Sequence, residues 1–349
     1  MTADRSRAPV MADVARLAGV SHQTVSRVLN DPVSVAPGTR RSVERAIGQL
    51  GYRRNTAARA LVTKRSRTLG VVSVDTAHYG PASTFFSIEE AAREAGYFVN
   101  FVTLRQVDRA NMTAAVDHLM AANVDGLIVM TPLTAAVDAL SVVSTDVPLV
   151  RVTGDEGSAA ADSVVVDQVA GARLATEHLL SLGHETVLHV RGPHGWLEAD
   201  GRVRGWLDAL MKARARVPEV VAGDWSASAG YRAGQHIATD KDVTAVFAAN
   251  DQMALGLIRA LHESGRTVPE DVSVVGFDDI PEAAYFLPPL TTVRQDFGEV
   301  GRRCIHRLIA LIAGEAAAGV GPPTPVQPTL AVRRSTRRVS EVSPASLPV

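Results

Sequence analysis

Six hydrogen-bonding side chains are concentrated in one short stretch near the amino terminus. Helical spacing would place Val25, Val28 and Leu29 together on the opposite, buried face. Only one of the six carries a fixed charge, so their face presents mainly donors and acceptors. Such a helix fits the major groove of DNA, although a solvated amphipathic helix in a small bundle has the same pattern. The six are His22, Gln23, Thr24, Ser26, Arg27 and Asn30.

A second group of polar side chains follows the apolar runs in the middle of the chain. If those runs are parallel strands, these residues meet at the carboxyl edge of a sheet, where such sheets bind ligands. Carboxylates and amides bind hydroxyl groups in pairs, and an indole covers the apolar face of a ring. This pattern predicts a neutral, polyhydroxylated ligand, whereas Asp251 and Asp279 are better interpreted as helix-cap or loop residues. The group comprises Asp75, Pro81, Trp196, Arg202, Trp225, Asn250 and Asp278.

Helix signals surround the first group. Val14 and Leu17 lie on one face of a predicted first helix, and Gly19 ends it. Ser21 offers a hydroxyl as N-cap of the second helix. A third helix completes a small three-helix head, and a short Ala-rich segment after it is a candidate hinge that would fold only against a partner. The predicted helices cover 11–18, 21–29 and 37–50, and the hinge segment covers 55–64.

Parallel sheets are predicted to position the second group. From Leu69 onward, short apolar runs alternate with amphipathic helix patterns, which is typical of α/β folds. Eight such runs are too many for one small doubly wound sheet, so two lobes are expected. The predicted strands are 69–74, 97–104, 126–130, 148–152, 163–167, 186–190, 244–249 and 272–278, with a last short strand near 329–333.

Charge is divided unequally along the 349 residues. Residues 1–67 carry 13 Lys or Arg and only four Asp or Glu, while the whole chain has a net charge of −1. A basic head on an acidic body is expected of a polyanion-binding module. The single cysteine, Cys304, excludes an intrachain disulfide framework, and neither a membrane span nor a secretory signal is found. The cytoplasm is therefore the predicted compartment.

Signatures of catalysis are missing from the sequence. It contains no Walker-type phosphate loop, no GxGxxG after the first strand and no GxSxG. His184 and His189 lack partners at metal-ligand spacing. The adjacent pair Asp278 and Asp279 would point in opposite directions in an extended segment, so it does not form a catalytic dyad. We predict that the protein is not an enzyme and uses no metal or other cofactor.

Four motifs in this order resemble the LacI/GalR family of bacterial transcription repressors. They are ADVARLAGVSHQTVSRVLN, LGYRRNTAARAL, ANDQMALGLIRALHESGRTVPEDVSVVGFDDI and PPLTTVRQDFGEVG. GDWSA, ANDQMALG and PPLTT-x-x-QDF are most similar to its lactose-repressor branch. The resemblance implies an α plus α/β fold: a three-helix helix-turn-helix head, a hinge helix, and a two-lobed, doubly wound parallel-sheet body of periplasmic-binding-protein type. It also implies a homodimer that reads pseudo-palindromic operator DNA.

Roles on DNA follow from the resemblance. His22, Gln23 and Arg27 match the base-reading positions, although His22 replaces a tyrosine and leaves the operator sequence open. Ala36 replaces the usual N-cap of the third helix. Ser21, Thr24, Ser26 and Asn30 are assigned to phosphates. Leu61 matches a leucine wedge that enters the minor groove, and Ala58 lets two hinge helices approach.

Effector roles also follow from the resemblance. Two family residues are replaced here, an aspartate by Thr153 and a serine by Val74, which weakens the case for an identical galactoside. Asp75 is expected to supply a carboxylate instead. The implied effector residues are Arg202, Asn250, Asp278, Trp225, Phe297, Gln295, Asp75 and Pro81.

The resulting prediction is a cytoplasmic, nucleoid-associated bacterial repressor. A sugar-type effector, a β-galactoside or related glycoside, would bind between the lobes, melt the hinge and release the operator. The alternatives are a sugar-binding transport protein without a DNA role and a family repressor with a non-sugar effector. The predicted segments are a disordered N-terminus 1–9, a DNA-binding domain 10–54, a hinge 55–66, a body 67–339 (N-lobe about 67–166 and 296–325, C-lobe about 167–295 and 326–339) and a disordered tail 340–349.

Overall fold

A computed structural model describes residues 8–53, 65–74, 77–141, 143–154, 162–315 and 324–339. The chain divides into two compact units, a head within residues 1–66 and a body from residue 67 onward. Predictions that concern Ala58, Leu61 and Asp75, most of the hinge and both chain ends lie outside the described residues.

The head contains the three predicted helices, α1 (Met11–Ala18), α2 (His22–Asn30) and α3 (Pro37–Leu50). Gly19 and Gly51 end α1 and α3 at φ values of 68° and 61°, which favour glycine. Ser21 caps α2, because its Oγ accepts a hydrogen bond from the Thr24 backbone N–H at 3.1 Å. Ala36 makes no side-chain cap, as the sequence indicated, and Pro37 occupies the first position of α3.

The core of the head is small and apolar. Val14, Val25 and Val43, one from each helix, are completely buried, and Tyr52 packs on them. Leu17, which the sequence pattern placed in this core, is instead 50% exposed. The buried stripe of α1 follows Met11, Val14, Ala15 and Ala18, at helical spacing, and Leu17 lies beside that stripe.

The N-lobe of the body is built on a five-stranded parallel sheet in the order β2-β1-β3-β4-β5. Helices on both faces bury the apolar central strands, as expected for a doubly wound sheet, whereas the edge strand Phe98–Leu104 is mostly exposed. In chain order the elements are β1 (Thr68–Val74), α4 (Tyr79–Glu94), β2 (Phe98–Leu104), α5 (Arg109–Ala121), β3 (Gly126–Met130), α6 (Thr134–Leu140), β4 (Leu149–Thr153) and β5 (Ser163–Val165).

The C-lobe contains a six-stranded sheet in the order β11-β10-β9-β8-β6-β7. All neighbouring strands are parallel except the edge pair β10–β11, which is antiparallel. Its elements are α7 (Gln168–Ser181), β6 (Leu188–Arg191), α8 (Leu197–Ala213), β7 (Val221–Ala222), α9 (Ala227–Ile237), β8 (Ala245–Ala248), α10 (Asp251–Glu263), β9 (Ser273–Asp278), β10 (Thr291–Arg294) and β11 (Thr329–Ala331).

The chain passes between the lobes three times. It leaves the N-lobe after β5, returns between β10 and α11 (Phe297–Ile312), and enters the C-lobe again before β11. Helix α11 packs into the N-lobe core through Val300, Cys304 and Leu308. The first and third passages run side by side, because Val166 and Val326 form a parallel bridge.

Candidate functional site

A cleft between the two lobes has a volume of about 720 Å³, including the space that is open to solvent. This size is typical of small-molecule sites, and the carboxyl ends of strands from both sheets face it. Seven of the eight effector residues implied by the sequence line this cleft, and the eighth, Asp75, lies outside the described residues. The seven are Pro81, Arg202, Trp225, Asn250, Asp278, Gln295 and Phe297.

Four buried side chains at the base of the cleft form a closed circuit of hydrogen bonds. Arg202 Nε donates to Gln168 Oε1 at 2.9 Å, and Gln168 Nε2 donates to Gln295 Oε1 at 2.8 Å. Gln295 Nε2 donates to Asp278 Oδ1 at 2.7 Å, and Arg202 Nη2 closes the circuit onto the same oxygen at 3.4 Å. Each member therefore fixes the orientation of its neighbours.

The charges in this circuit compensate each other. Burial lowers the pKa of Arg202, and the nearby carboxylate of Asp278 opposes that shift. Burial also raises the pKa of Asp278, against the opposing effects of Arg202 and Gln295. The guanidinium carbon of Arg202 lies 3.8 Å from the centroid of the Phe277 ring, and Arg202 Nη1 donates to the Ala249 carbonyl. A buried pair of this kind favours a neutral ligand, since an added charge would be left without a counter-ion.

Indole rings form the wall above the circuit. Trp225 adopts a φ of 70°, and the Asn250 amide holds this strained turn by donating to the Trp225 carbonyl at 2.9 Å. A Cβ on Gly192 would lie 2.2 Å from the indole, so only glycine allows this approach. Trp196 meets Trp225 edge to face at a centroid distance of 5.7 Å. Among the described atoms, Trp225 Nε1 is buried without a partner and is available to a ligand.

Asn250 lines the cleft as the sequence predicted and is also the N-cap of α10, a role that the sequence had suggested for Asp251. As the cap, Asn250 Oδ1 accepts from the Met253 backbone N–H at 2.9 Å. Asp251 is the first residue of the helix and is completely buried. It accepts from the Ile280 backbone N–H at 2.9 Å and from the Thr292 hydroxyl at 2.5 Å. Burial raises the pKa of Asp251 well above its ordinary value.

Asp278 and Asp279 point apart, but not because their backbone is extended. Both have positive φ values, 108° and 53°, so the turn sends Asp278 into the cleft and Asp279 away from it. Asp279 pairs with Arg294 and Arg333, each at 2.6 Å. The pair is therefore a cleft-lining residue next to a structural one.

Gln168 and Glu198 are among the cleft residues that the sequence did not identify. Gln168 follows β5, and the rule applied to the other strands would have found it. Glu198 lies near the start of α8, and its Oε2 atom is buried with no partner among the described atoms. Burial raises the pKa of Glu198 to about 7. Thr153 lines the cleft at the position of the expected aspartate, whereas Val74 packs into the N-lobe core.

The polar face of α2 is the second candidate site. His22, Gln23 and Arg27 are exposed, and Thr24 and Ser26 are half-buried. Ser21 Oγ already contacts the Thr24 hydroxyl at 2.9 Å, so the two side chains are ordered together. The side chain of Asn30 lies outside the described part of the chain.

Neither a membrane span nor a metal cluster is present in the described residues. None of the helices in those residues is long and apolar enough to cross a bilayer. Within the same ranges, no three His, Cys, Asp or Glu side chains are grouped so that they could hold a metal ion.

Comparison with known proteins decides the family. Residues 10–55 match "Bacterial regulatory proteins, lacI family", and residues 176–336 match "Periplasmic binding protein-like domain". The lactose operon repressor of Escherichia coli K12 is 36% identical over 340 residues, covering 96% of this chain and 92% of that protein. The chain belongs to the LacI family. CelR of Thermobifida fusca, an HTH-type transcriptional regulator, is 34% identical over 91% of this chain and 96% of its own length.

Solved structures of LacI-family members confirm the fold class predicted from the sequence. The Lac repressor dimer bound to operator and the anti-inducer ONPF aligns with a TM-score of 0.83 and 34% identity, over 95% of this chain and all of that chain. A CelR–cellobiose complex aligns with a TM-score of 0.68 and 32% identity, over 94% of this chain and 99% of that one. The protein is a DNA-binding transcriptional repressor of this family with a sugar-binding type of body. Its relatives are regulators, not enzymes.

Proposed function

We propose that this repressor binds a pseudo-palindromic operator as a cytoplasmic homodimer and releases it when a neutral glycoside, a β-galactoside or a related sugar, fills the cleft. The observation that carries the proposal is the circuit of Arg202, Gln168, Gln295 and Asp278 beneath two indole rings. A family member with a non-sugar effector is the alternative.

The chemistry of the cleft supports a carbohydrate. The carboxylate and amides offer paired donors and acceptors for vicinal hydroxyls, and Trp225 offers an apolar face and a spare N–H. Because Arg202 is already compensated by Asp278, an anionic ligand would lack a cation of its own. Two relatives were solved with such ligands, CelR with cellobiose and the Lac repressor with ONPG.

On DNA, we assign base reading to His22, Gln23 and Arg27, whose side chains are exposed on α2. Gln23 suits adenine and Arg27 suits guanine, each through a bidentate pair. The backbone contacts are assigned to Ser21, Thr24, Ser26 and Asn30, and the minor-groove wedge to Leu61 with Ala58 beside it.

Dimerisation is proposed to occur through the body. Four large apolar side chains of the body are each more than half exposed. Two lie on the N-lobe, Phe86 and Phe98, and two on the C-lobe, Tyr285 and Leu287. Exposed apolar groups on this scale mark association surfaces. The Lac repressor was solved as a dimer, so we expect a second copy of this chain to cover these exposed side chains.

Thermal unfolding of the full chain tests the effector. Lactose and cellobiose are compared with glucose 6-phosphate as an anionic control. A sugar present at 100 times its Kd stabilises the body by about 2.7 kcal/mol. We expect a neutral disaccharide to raise the Tm, and Asp278→Ala to abolish that rise. The exposed Asp208→Ala on α8 is the matched control.

The second half of the experiment follows DNA. Duplexes selected by the protein from a random pool are labelled, and their release is measured by fluorescence anisotropy as the stabilising sugar is added. Release supports the proposal, whereas tighter binding would contradict the direction of control. Stabilisation by the phosphorylated sugar alone would refute the neutral-glycoside assignment.

A further inference from the structure

Two backbone hydrogen bonds join the lobes across the cleft. The Thr134 N–H of the N-lobe donates to the Gly195 carbonyl of the C-lobe at 3.1 Å. The Leu197 N–H donates in the opposite direction, to the Pro132 carbonyl, at 2.8 Å. Between these bonds Leu133 and Trp196 face each other in an antiparallel bridge. We call residues 132–134 and 195–197 the latch.

The latch forms part of the wall of the ligand cleft. Pro132 and Trp196 line the cleft, and the Trp196 indole lies edge to face with both His78 of the N-lobe, at 5.6 Å, and Trp225 of the C-lobe, at 5.7 Å. A ligand that passes on this side must therefore displace a continuous strip of backbone and aromatic rings.

Both donors of the latch are the first residues of helices, Thr134 of α6 and Leu197 of α8. A first-turn N–H has no acceptor inside its own helix. Breaking the latch therefore costs neither helix an internal hydrogen bond, and water can satisfy the released groups. The two bonds can open and close while both lobes stay folded.

We propose that the latch holds the lobes closed through main-chain bonds of the protein itself, and that ligand exchange requires these two bonds to break together. Closure is then independent of the identity of the ligand, and the latch sets how fast the cleft opens. This inference goes beyond the proposed function, since it holds for any effector.

Proline at the two donor positions tests the latch. A proline is tolerated at the first position of a helix, and the preceding residues, Leu133 and Trp196, already have the extended backbone that proline requires. Thr134→Pro with Leu197→Pro removes both donors. Arg109→Pro, at the exposed first position of α5 and after the extended Asp108, is the matched control.

Quenching of tryptophan fluorescence by acrylamide reports the opening of the cleft in the full chain. Of the three tryptophans, Trp196 and Trp225 line the cleft, and Trp206 is buried under the C-lobe sheet. Loss of two backbone bonds is expected to lower the closed-to-open ratio by about tenfold. The quenching constant should rise in the double variant and stay unchanged in Arg109→Pro. If the double variant and Arg109→Pro had the same quenching constant, the proposal would be wrong.

Amide hydrogen exchange of the unmodified chain gives a second test that does not depend on how the variants fold. The latch predicts that the Thr134 and Leu197 amides are protected and that both exchange more slowly than their intrinsic rates by one common factor, because one opening releases both. The Arg109 amide, at the same position of a helix outside the latch, should exchange faster. If Thr134 and Leu197 exchange as fast as Arg109, the lobes are not held by the latch.

Discussion

Glu198→Gln should change how the stability of the body depends on pH. Glu198 Oε2 is buried beside the latch, and the side chain packs on the opposite lobe. A Cβ built on Gly154 would lie 2.7 Å from Glu198 Cγ. Burial raises the pKa of Glu198 from 4.5 to about 7, with Asp278 and Asp200 adding to the rise and Arg202 opposing it.

The sign follows from proton linkage. The folded protein holds the proton of Glu198 more tightly than the unfolded chain does, so stability falls as the pH rises from 4.5 through about 7. At 1.36 kcal/mol for each pKa unit, the full loss is about 3 kcal/mol at pH 8 and vanishes below pH 4.5. Glutamine has nearly the same shape as glutamate but cannot ionise, so Glu198→Gln does not lose this stability as the pH rises.

Unfolding by urea, followed at several pH values between 4.5 and 8, measures the difference in free energy between wild type and variant. We expect the curves to coincide at the acid end and Glu198→Gln to be more stable by up to about 3 kcal/mol at pH 8. The exposed Glu185→Gln serves as the control and should follow wild type throughout. A Glu198→Gln curve parallel to wild type would show that Glu198 ionises freely in the folded protein.

Three further predictions concern the head and the base of the cleft. Ala36→Ser supplies the missing N-cap of α3 and should stabilise the head by about 0.5–2 kcal/mol in thermal unfolding; no gain would mean that the cap is already satisfied. Arg27→Ala should cost about 1–3 kcal/mol on selected DNA but less on random DNA, measured by anisotropy; an unchanged ratio would remove Arg27 from base reading. Thr292→Val deprives the buried Asp251 of a donor and should destabilise the body by about 1–3 kcal/mol in urea, whereas Thr24→Val on the head should leave the body unchanged.

Much of the fold could be predicted because its signals are local. Apolar runs identified most of the strands, and Ser21 and Gly19 marked helix ends. Strand β10 was missed because two of its three buried residues, Thr291 and Thr292, are threonines. Thr291 accepts from the Arg333 backbone N–H and Thr292 donates to Asp251, and both partners are distant in sequence. Such polar burial leaves no apolar signal in the chain.

The residues of the cleft could likewise be predicted only in part. Residues at strand ends, such as Asp278 and Asn250, could be located by the topology rule. The same rule would also locate Gln168, but its place in the circuit depends on its bond to Gln295, 127 residues away. Glu198 lies inside a helix, where the rule does not apply, and it contacts Gly154 of the opposite lobe. The wedge Leu61, its neighbour Ala58 and the carboxylate Asp75 stay predictions.

The hydrogen-bond circuit has a mechanical consequence. Gln168 follows the first passage between the lobes and Gln295 lies in the second, so two of its four members stand at the pivot itself. A ligand that reorients those two amides would act next to the axis about which the lobes rotate. A small angular change there becomes a large linear displacement at the far ends of the lobes.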